Sequence, residues 1–412
     1  MKIKALIIIL FIPAILIADY YTINPAVGFI ASVNDARARA MGRTELMSST
    51  GPNAMFANPA NLINVIYPSA QMSGREMSGT INDGDWTSVS SDFWKGSYPS
   101  NSKFSQIAFA MPFSVPRINK KAVAAIGYET YLDWRLNFDE QFQATNSGVT
   151  ELMDNTLTGG LNTISIAGVL KLNERFDLGI AFYKSYNSDL RITNVRAFDP
   201  DPGPLPIWYQ RIMEYDVSAY FAVIGVNANL PGNIAAGLIV KPHFTVKLEC
   251  KLNTLDSNLD HFDEKFRLGD VYGLGFSKKF LNLFRIATEY QNRPYSVLYF
   301  HTDNQIIGKT KNGHCFRIGL ETQTIIPIRL GYFIESLPIG EQNPEKSAPK
   351  SLSGFTAGIG LITRYFHIDT FAEFSSWSYD HFVYGYEPPA VYERQESLTS
   401  FGATITVQIP WK

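Results

Sequence analysis

Hydrophobic and polar side chains alternate with a period of two along most of the chain after residue 66. This is the spacing of a β-strand whose two faces meet different environments, because successive side chains of a strand point in opposite directions. In the longest run an apolar face opposes a polar one: Ile126, Leu132, Trp134 and Leu136 against Glu129, Asp133, Arg135 and Asp139. A run of this length fits the ~10 residues of a tilted membrane strand. The apolar face is therefore predicted to contact lipid.

The connections between the predicted strands alternate in length. Some strand pairs are separated by only a few turn residues, as at 173–175 and 231–233. Between these hairpins lie long polar stretches, at 80–103, 140–159, 193–214, 251–263, 301–313, 338–351 and 380–396. Short turns on one rim and long loops on the other are typical of an outer-membrane barrel, with the short turns in the periplasm.

The pattern predicts an all-β fold, a 14-stranded antiparallel transmembrane β-barrel. Its predicted strands are 67–79, 104–113, 122–139, 160–172, 176–192, 215–230, 234–250, 264–277, 283–300, 314–323, 328–337, 352–362, 366–379 and 397–411. An even number of strands leaves both chain ends on the short-turn side, as expected for an exported chain. The last strand ends near Trp411, and a terminal aromatic resembles the signal read by the barrel-assembly machinery.

The N-terminus has the pattern of an export signal. Lys2 and Lys4 precede an apolar stretch at 5–17, and Ala18 is a small residue suited to cleavage. We predict a signal peptide at 1–18, a mature chain that begins near Asp19, and residence in the outer membrane of a diderm bacterium. An uncleaved anchor stays open as an alternative, because Leu16 is larger than the residue usual at that position.

Composition and charge exclude several functions. The 412 residues carry a formal net charge of -2 without a cluster of Lys and Arg, so no nucleic-acid partner is expected. Past residue 18 no apolar run approaches the ~20 residues of a spanning helix. Cys250 and Cys315 are the only cysteines, which allows one bridge at most and leaves their pairing open.

The sequence lacks the motifs of the common enzymes. Gly-x-Ser-x-Gly, His-Glu-x-x-His and Cys-x-x-Cys do not occur. We therefore predict no enzymatic activity, no cofactor and no metal site. The polar strand faces predict a lumen lined by groups of mixed charge, for which the candidates are Glu129, Asp133, Arg135, Asp139 and Lys171. Mixed signs argue against an ion-selective pore and are compatible with a plugged lumen.

A family resemblance rests on two short segments before the first strand. These are Ala38-Arg39-Ala40-Met41-Gly42 and Phe56-Ala57-Asn58-Pro59-Ala60-Asn61-Leu62. They resemble the N-terminal region of the FadL-type outer-membrane transporters and of the related PorV-like barrels. Arg43, where a second Gly is usual, and Asn61, which replaces the Gly of Asn-Pro-Ala-Gly, depart from that pattern.

The resemblance implies a three-part chain: the signal peptide, a hatch at 19–66 inside the lumen with Asn58, Pro59 and Ala60 at its turn, and a barrel at 67–412. It further implies transport of hydrophobic small molecules, such as long-chain fatty acids, across the outer membrane, with membrane lipid and the apolar ligand as partners. The alternative it leaves open is a PorV-like role in protein secretion or surface attachment. Residues 338–351 and 380–396 would then contact secretion-system proteins.

Overall fold

A computed structural model describes fourteen separate stretches of the chain: 29–30, 35–83, 95–116, 119–133, 136–144, 149–199, 207–254, 258–281, 283–294, 300–302, 305–306, 312–336, 351–383 and 390–410. Among these residues no helix is long and apolar enough to cross a membrane. The predicted signal peptide, Trp134, Arg135 and most of 338–351 lie outside them.

Most described residues belong to fourteen long antiparallel strands, several of which consist of two segments. They are β1 Ser69–Asp83, β2 Lys95–Val115, β3 Lys120–Asp133 with Leu136–Ala144, β4 Val149–Lys171, β5 Phe176–Ser185 with Asp189–Asp199, β6 Ile207–Ser218 with Tyr220–Leu230, β7 Ile234–Lys241 with Phe244–Thr254, β8 Asn258–Leu268 with Val271–Phe280, β9 Phe284–Arg293 with Phe300–Thr302, β10 Gln305–Ile306 with Gly313–Thr322, β11 Ile328–Ser336, β12 Ser351–Ile362, β13 Phe366–Val383 and β14 Ala390–Gln408.

The strands pair in chain order and close into a barrel. β14 returns to β1 over fifteen residue pairs, from Ser69 opposite Gln408 to Asp83 opposite Arg394. Closure leaves no long free edge, so the backbone groups at membrane depth have partners within the sheet. The fourteen-stranded antiparallel barrel predicted from the sequence is confirmed.

The outer surface is apolar between the short turns and the interruptions that divide the two-segment strands. On β5, Phe176, Leu178, Ile180 and Phe182 are exposed, while Asp177 and Ala181 between them are buried. The same alternation continues on the neighbouring strands, whose exposed side chains include Ile166, Ile224, Leu238, Leu274, Phe276, Ile318 and Leu330. An apolar belt around a closed barrel is the surface that meets lipid in an outer-membrane protein.

The strands are longer than the sequence pattern predicted. β4 begins at Val149, not near residue 160, and the second segment of β5 with the first segment of β6 occupies much of the predicted loop at 193–214. Similarly, β13 and β14 extend into the predicted loop at 380–396. The pattern was misread because the polarity of the two faces changes along each strand: Val217 is buried where Asp216 and Ser218 are exposed. These segments rise above the lipid belt, where water covers the outer face.

The predicted orientation of Leu132 is wrong. Ile126 is 53% exposed on the lipid face as expected, but Leu132 is fully buried. The ladder between β3 and β4 shifts register between Thr130 and Leu132, so one extra residue reverses the alternation beyond it. Strict period-two reasoning cannot detect such a bulge, because a shift of one residue moves every later side chain to the other face.

Residues 35–65 form a compact plug of short helices inside the barrel. The helices are α1 Ala36–Ala40, α2 Glu45–Ser48 and α3 Ala54–Ala57, followed by a 3-10 helix at Pro59–Asn64. Asp35 caps α1 by accepting a hydrogen bond from the Arg37 N–H, and Asn58 caps the 3-10 helix at the Ala60 N–H. Nearly every residue of this segment is buried, so the barrel wall encloses the plug on all sides.

An arginine in the lipid belt should destabilise the barrel. We expect Ile126→Arg to lower the free energy of unfolding by about 2 kcal/mol, because a cationic side chain would face hydrocarbon. Urea titration of protein folded into lipid vesicles measures the change. Leu281→Arg is the matched control, since Leu281 is 89% exposed at a short turn. Equal stability of the two variants would contradict the assignment of the lipid face.

Candidate functional site: a plugged lumen and an apolar chamber

Ion pairs attach the hatch to one side of the barrel wall. Arg37 lies 2.6 Å from Glu321, and Arg43 lies 2.6 Å from Glu373. Glu45 pairs with Arg317 at 3.1 Å. All of these groups are buried or nearly so, and breaking a buried pair leaves an uncompensated charge at a cost of ~3–5 kcal/mol. The hatch is therefore held firmly against strands β10 to β13.

The wall residues that bind the hatch are themselves paired along the lumen. Arg329 contacts both Glu321 and Asp369 at 2.8 Å, and Arg317 also contacts Glu289 at 2.6 Å. Positive and negative side chains thus alternate across neighbouring strands. The network neutralises this half of the lumen.

The hatch turn makes a different kind of contact, on the opposite side of the lumen. The Asn58 side-chain amide donates to Asn227 Oδ1 at 2.8 Å, and the Asn227 amide donates to Asn61 Oδ1 at 2.8 Å. Pro59 and Ala60 lie directly over Gly179 and Gly225 of the wall. Three asparagines and a proline therefore fix this part of the hatch through hydrogen bonds and close packing, without charge.

Glycines of the wall make room for the hatch. They occur as cross-strand neighbours in three places: Gly179 with Gly225, Gly237 with Gly275, and Gly319 with Gly331. A Cβ atom added at Gly331 would lie 1.9 Å from the Gly42 nitrogen, and one at Gly319 would lie 2.4 Å from the Met41 carbonyl oxygen. At these positions any side chain would collide with hatch backbone, so the lumen has the shape of its plug.

A packed cluster of buried apolar side chains, which we call the chamber, fills the side of the lumen formed by β3 to β8. Four aromatic rings form its floor: Tyr131, Tyr183, Phe221 and Phe244, with Phe221 stacked on Tyr183 at 4.5 Å and on Phe244 at 4.3 Å between centroids. Above them the inward side chains are aliphatic or aromatic: Leu157, Leu161, Leu190, Ile192, Met213, Tyr215, Val217, Val246, Leu248, Cys250 and Phe266. These come from the strand segments that rise above the lipid belt.

One cation enters the aromatic floor of the chamber. Lys241 Nζ donates to Tyr131 Oη at 2.9 Å and lies 4.6 Å from the centre of the Tyr131 ring and 5.8 Å from that of Phe221. Among the described residues, no carboxylate lies within ion-pair distance of Lys241; Glu129 interacts with it through space only. The Lys241 charge is thus stabilised by ring faces and a phenol oxygen.

The barrel wall has a break beside this floor. Pairing between β2 and β3 ends at Gln106 opposite Glu129. Above that point, in the part of the wall that is described, β2 pairs only with β1, and β3 pairs with β4. The free edge of β3 is instead covered by the hatch, since Phe29 pairs with Asp133 and Ile30 with Leu132. A two-residue strand of the hatch therefore closes a lateral gap in the wall.

The predicted site residues are separated by the fold. Glu129 is buried at the wall break and accepts a 3.4 Å hydrogen bond from Gln106. Asp133 lies close by and pairs with Arg75 at 3.0 Å. Lys171 lies at the short-turn rim against Glu174. Asp139 belongs to the second segment of β3 but its side chain lies outside the described residues. Tyr131 and Lys241, which sequence reasoning missed, carried no signal beyond their place in the alternation.

Solved structures with the same architecture are known. A Pseudomonas aeruginosa FadL homologue matches with a TM-score of 0.62 at 12% identity, over 92% of this chain and 99% of that one. The chain has the FadL-type fold. The Pseudomonas putida toluene transporter TodX matches at 0.59 and 11% identity, over 92% and 100%, and the Ralstonia pickettii toluene transporter TbuX at 0.57 and 12%, over 93% and 100%. Neither a family model nor a curated protein sequence matches the chain.

A side chain at the glycine positions should disturb the seating of the hatch in this FadL-type barrel. We expect Gly331→Ala to cost ~1–3 kcal/mol through overpacking and to raise single-channel conductance as the hatch is displaced. Planar-bilayer recordings and thermal unfolding in detergent measure the two effects. Gly168→Ala is the control, because a Cβ there meets nothing within 4 Å. Identical conductance in both variants would show that close contact at Gly331 does not position the hatch.

Proposed function

We propose that this barrel transports hydrophobic small molecules that carry one anionic group, such as long-chain fatty acids, across the outer membrane. The observation that carries the proposal is the chamber: an apolar interior above the lipid belt whose aromatic floor holds a lysine with no ion pair among the described residues. A ligand would enter from outside the cell, where the strands extend beyond the membrane.

The chamber matches both the alkyl chain and the carboxylate of such a ligand. Burial of an alkyl chain gains about 0.8 kcal/mol for each methylene removed from water. A carboxylate, in contrast, is costly to bury unless a cation and hydrogen-bond donors receive it. Lys241 Nζ and the Tyr131 hydroxyl lie 2.9 Å apart and together offer these groups.

The route out of the chamber is inferred from the paths that are closed. The straight path to the periplasm is filled by a hatch that ion pairs and hydrogen bonds hold on both sides. The lateral gap between β2 and β3 adjoins Tyr131; Phe29 and Ile30 cover it by pairing with β3, and the Arg75–Asp133 ion pair lies beside it. We therefore propose that the ligand leaves sideways into the bilayer when this two-residue strand separates from β3.

The structural neighbours support transport of apolar molecules, since two of them are described as toluene transporters. Toluene has no charge, so Lys241 is what favours an acid over a neutral hydrocarbon here. Transporter neighbours also agree with the expectation of a non-enzymatic role. The PorV-like alternative stays a prediction, because the loops on which it rests lie mostly outside the described residues.

Removal of the chamber cation should weaken binding of the acid selectively. We expect Lys241→Met to reduce the affinity for palmitate at least tenfold and to leave the affinity for toluene within about twofold, because a charge-assisted hydrogen bond is worth ~1.5–3 kcal/mol. Isothermal titration calorimetry in detergent measures both ligands.

Lys278→Met provides a matched control for this experiment. Lys278 also lies over an aromatic ring, 5.0 Å from the centre of Phe280, but it is at the short-turn rim far along the strand from the chamber. An equal loss of palmitate binding in both variants, or no loss in either, would refute the role given to Lys241.

Locking the gap should stop transport without emptying the chamber. In a background with Cys250 and Cys315 replaced by Ser, we expect Ile30→Cys with Leu132→Cys to form a disulfide, because directly paired antiparallel residues have Cα atoms ~4.5–5.5 Å apart, within the range that a disulfide spans. Uptake of a labelled fatty acid into cells should then fall to background and recover upon reduction. Undiminished uptake in the oxidised form would exclude the lateral route.

A further inference from the structure

A basic patch lies on the outer surface of the strands that enclose the chamber. It consists of Lys247 on β7 with Lys265 and Arg267 on β8, in the segments above the lipid belt. Their neighbours along the strands, Val246 and Phe266, are buried, so the three cations face outward. In the ladder between these segments Lys247 stands opposite Lys265, and Arg267 stands one step nearer the membrane, opposite Thr245.

The patch lacks partners within the described part of the protein. Like charges directly opposite one another in a sheet are destabilising, yet none of the three cations forms an ion pair among the described residues. The carboxylates of this surface form the next row outward, where Glu249 stands opposite both Asp216 and Asp263. Of these, Asp216 pairs with Lys251 at 3.7 Å, on the side away from the patch. The charges are therefore layered, with the cationic row nearer the membrane.

The patch lies close above the polar layer of the membrane. Tyr220 and Tyr272 are exposed on the outer surface at the top of the apolar belt, where aromatic side chains mark the membrane interface. Arg267 lies five residues before Tyr272 on β8, which corresponds to about 12 Å in height above Tyr272 for a strand tilted by ~40°. Between the two, Asp270 pairs with His243 at 3.2 Å and reaches Arg267 through space only. The long side chains of the three cations can reach back from this height toward the phosphate-bearing headgroups.

We propose that Lys247, Lys265 and Arg267 bind the phosphate groups of a phosphorylated glycolipid of the outer leaflet. Guanidinium and ammonium groups form short, charge-assisted hydrogen bonds with phosphate oxygens. Binding would relieve the repulsion between Lys247 and Lys265, which the fold by itself leaves in place. It would also hold a lipid beside the segments of β7 and β8 that wall the chamber. The proposal does not depend on what the chamber binds.

The test compares two triple variants of the purified full-length protein in detergent. Lys247→Gln/Lys265→Gln/Arg267→Gln removes the patch. Lys278→Gln/Lys279→Gln/Arg364→Gln removes two exposed lysines and one exposed arginine from the short-turn rim, at the other end of the barrel. Native mass spectrometry counts bound diphosphoryl lipid A, with dephosphorylated lipid A and inorganic phosphate as separate probes. A change of gel mobility upon heating, equal to that of the wild-type protein, verifies that each variant is folded.

Each basic residue near an anionic lipid surface is worth about a fivefold change in affinity, so loss of three should weaken binding of diphosphoryl lipid A by about a hundredfold. The rim variant should stay within about threefold of wild type. The affinity of the wild-type protein for dephosphorylated lipid A should be no higher than the affinity of the patch variant for diphosphoryl lipid A. Inorganic phosphate should compete only weakly. Equal binding by the two variants, or no preference for the phosphorylated lipid, would overturn the proposal. Palmitate binding should be unchanged in the patch variant, which separates this result from the proposed function.

Discussion

Every backbone N–H and C=O group at membrane depth must have a hydrogen-bond partner, and this requirement shapes the whole protein. A sheet can meet it only by closing on itself, and here β14 completes the ring by pairing with β1 over its full length. Closure with fourteen strands produces a lumen too wide for wall side chains to fill, since side chains alone suffice only near eight strands. The hatch fills the remaining space, and the paired wall glycines allow its backbone to approach the sheet.

The lumen is divided by the chemistry of its two sides. Toward β9 to β13, buried arginines and carboxylates bind the charged hatch residues and one another, so this half is neutralised and occupied. Toward β3 to β8, the inward side chains are apolar and Lys241 is stabilised by aromatic rings. The proposed binding of an apolar ligand and the proposed opening of the wall both lie on the apolar side.

The change of polarity along the strands has a single physical cause. Within the membrane the outer face meets hydrocarbon, so apolar residues such as Ile180 and Ile224 point outward. Above it the outer face meets water and headgroups, and charged residues such as Asp216 and Lys247 take that position. The polarity of the inward-facing side chains changes in the opposite direction: they are polar and charged beside the hatch and apolar in the segments above it. One set of continuous strands therefore builds both a membrane-spanning wall and an apolar chamber.

The barrel could be predicted from the amino-acid sequence alone, because the period of two, the alternation of short and long connections and the even count of strands are all local properties of the chain. The family resemblance suggested a hatch with a turn at Asn58-Pro59-Ala60, and in the structure Asn58 caps a 3-10 helix that begins at Pro59. The side on which Leu132 lies could not be predicted in this way, because a bulge depends on the register with β4. The chamber likewise required the fold: Tyr131, Phe221 and Lys241 are ordinary members of three separate strands until closure of the barrel brings them within 6 Å of one another.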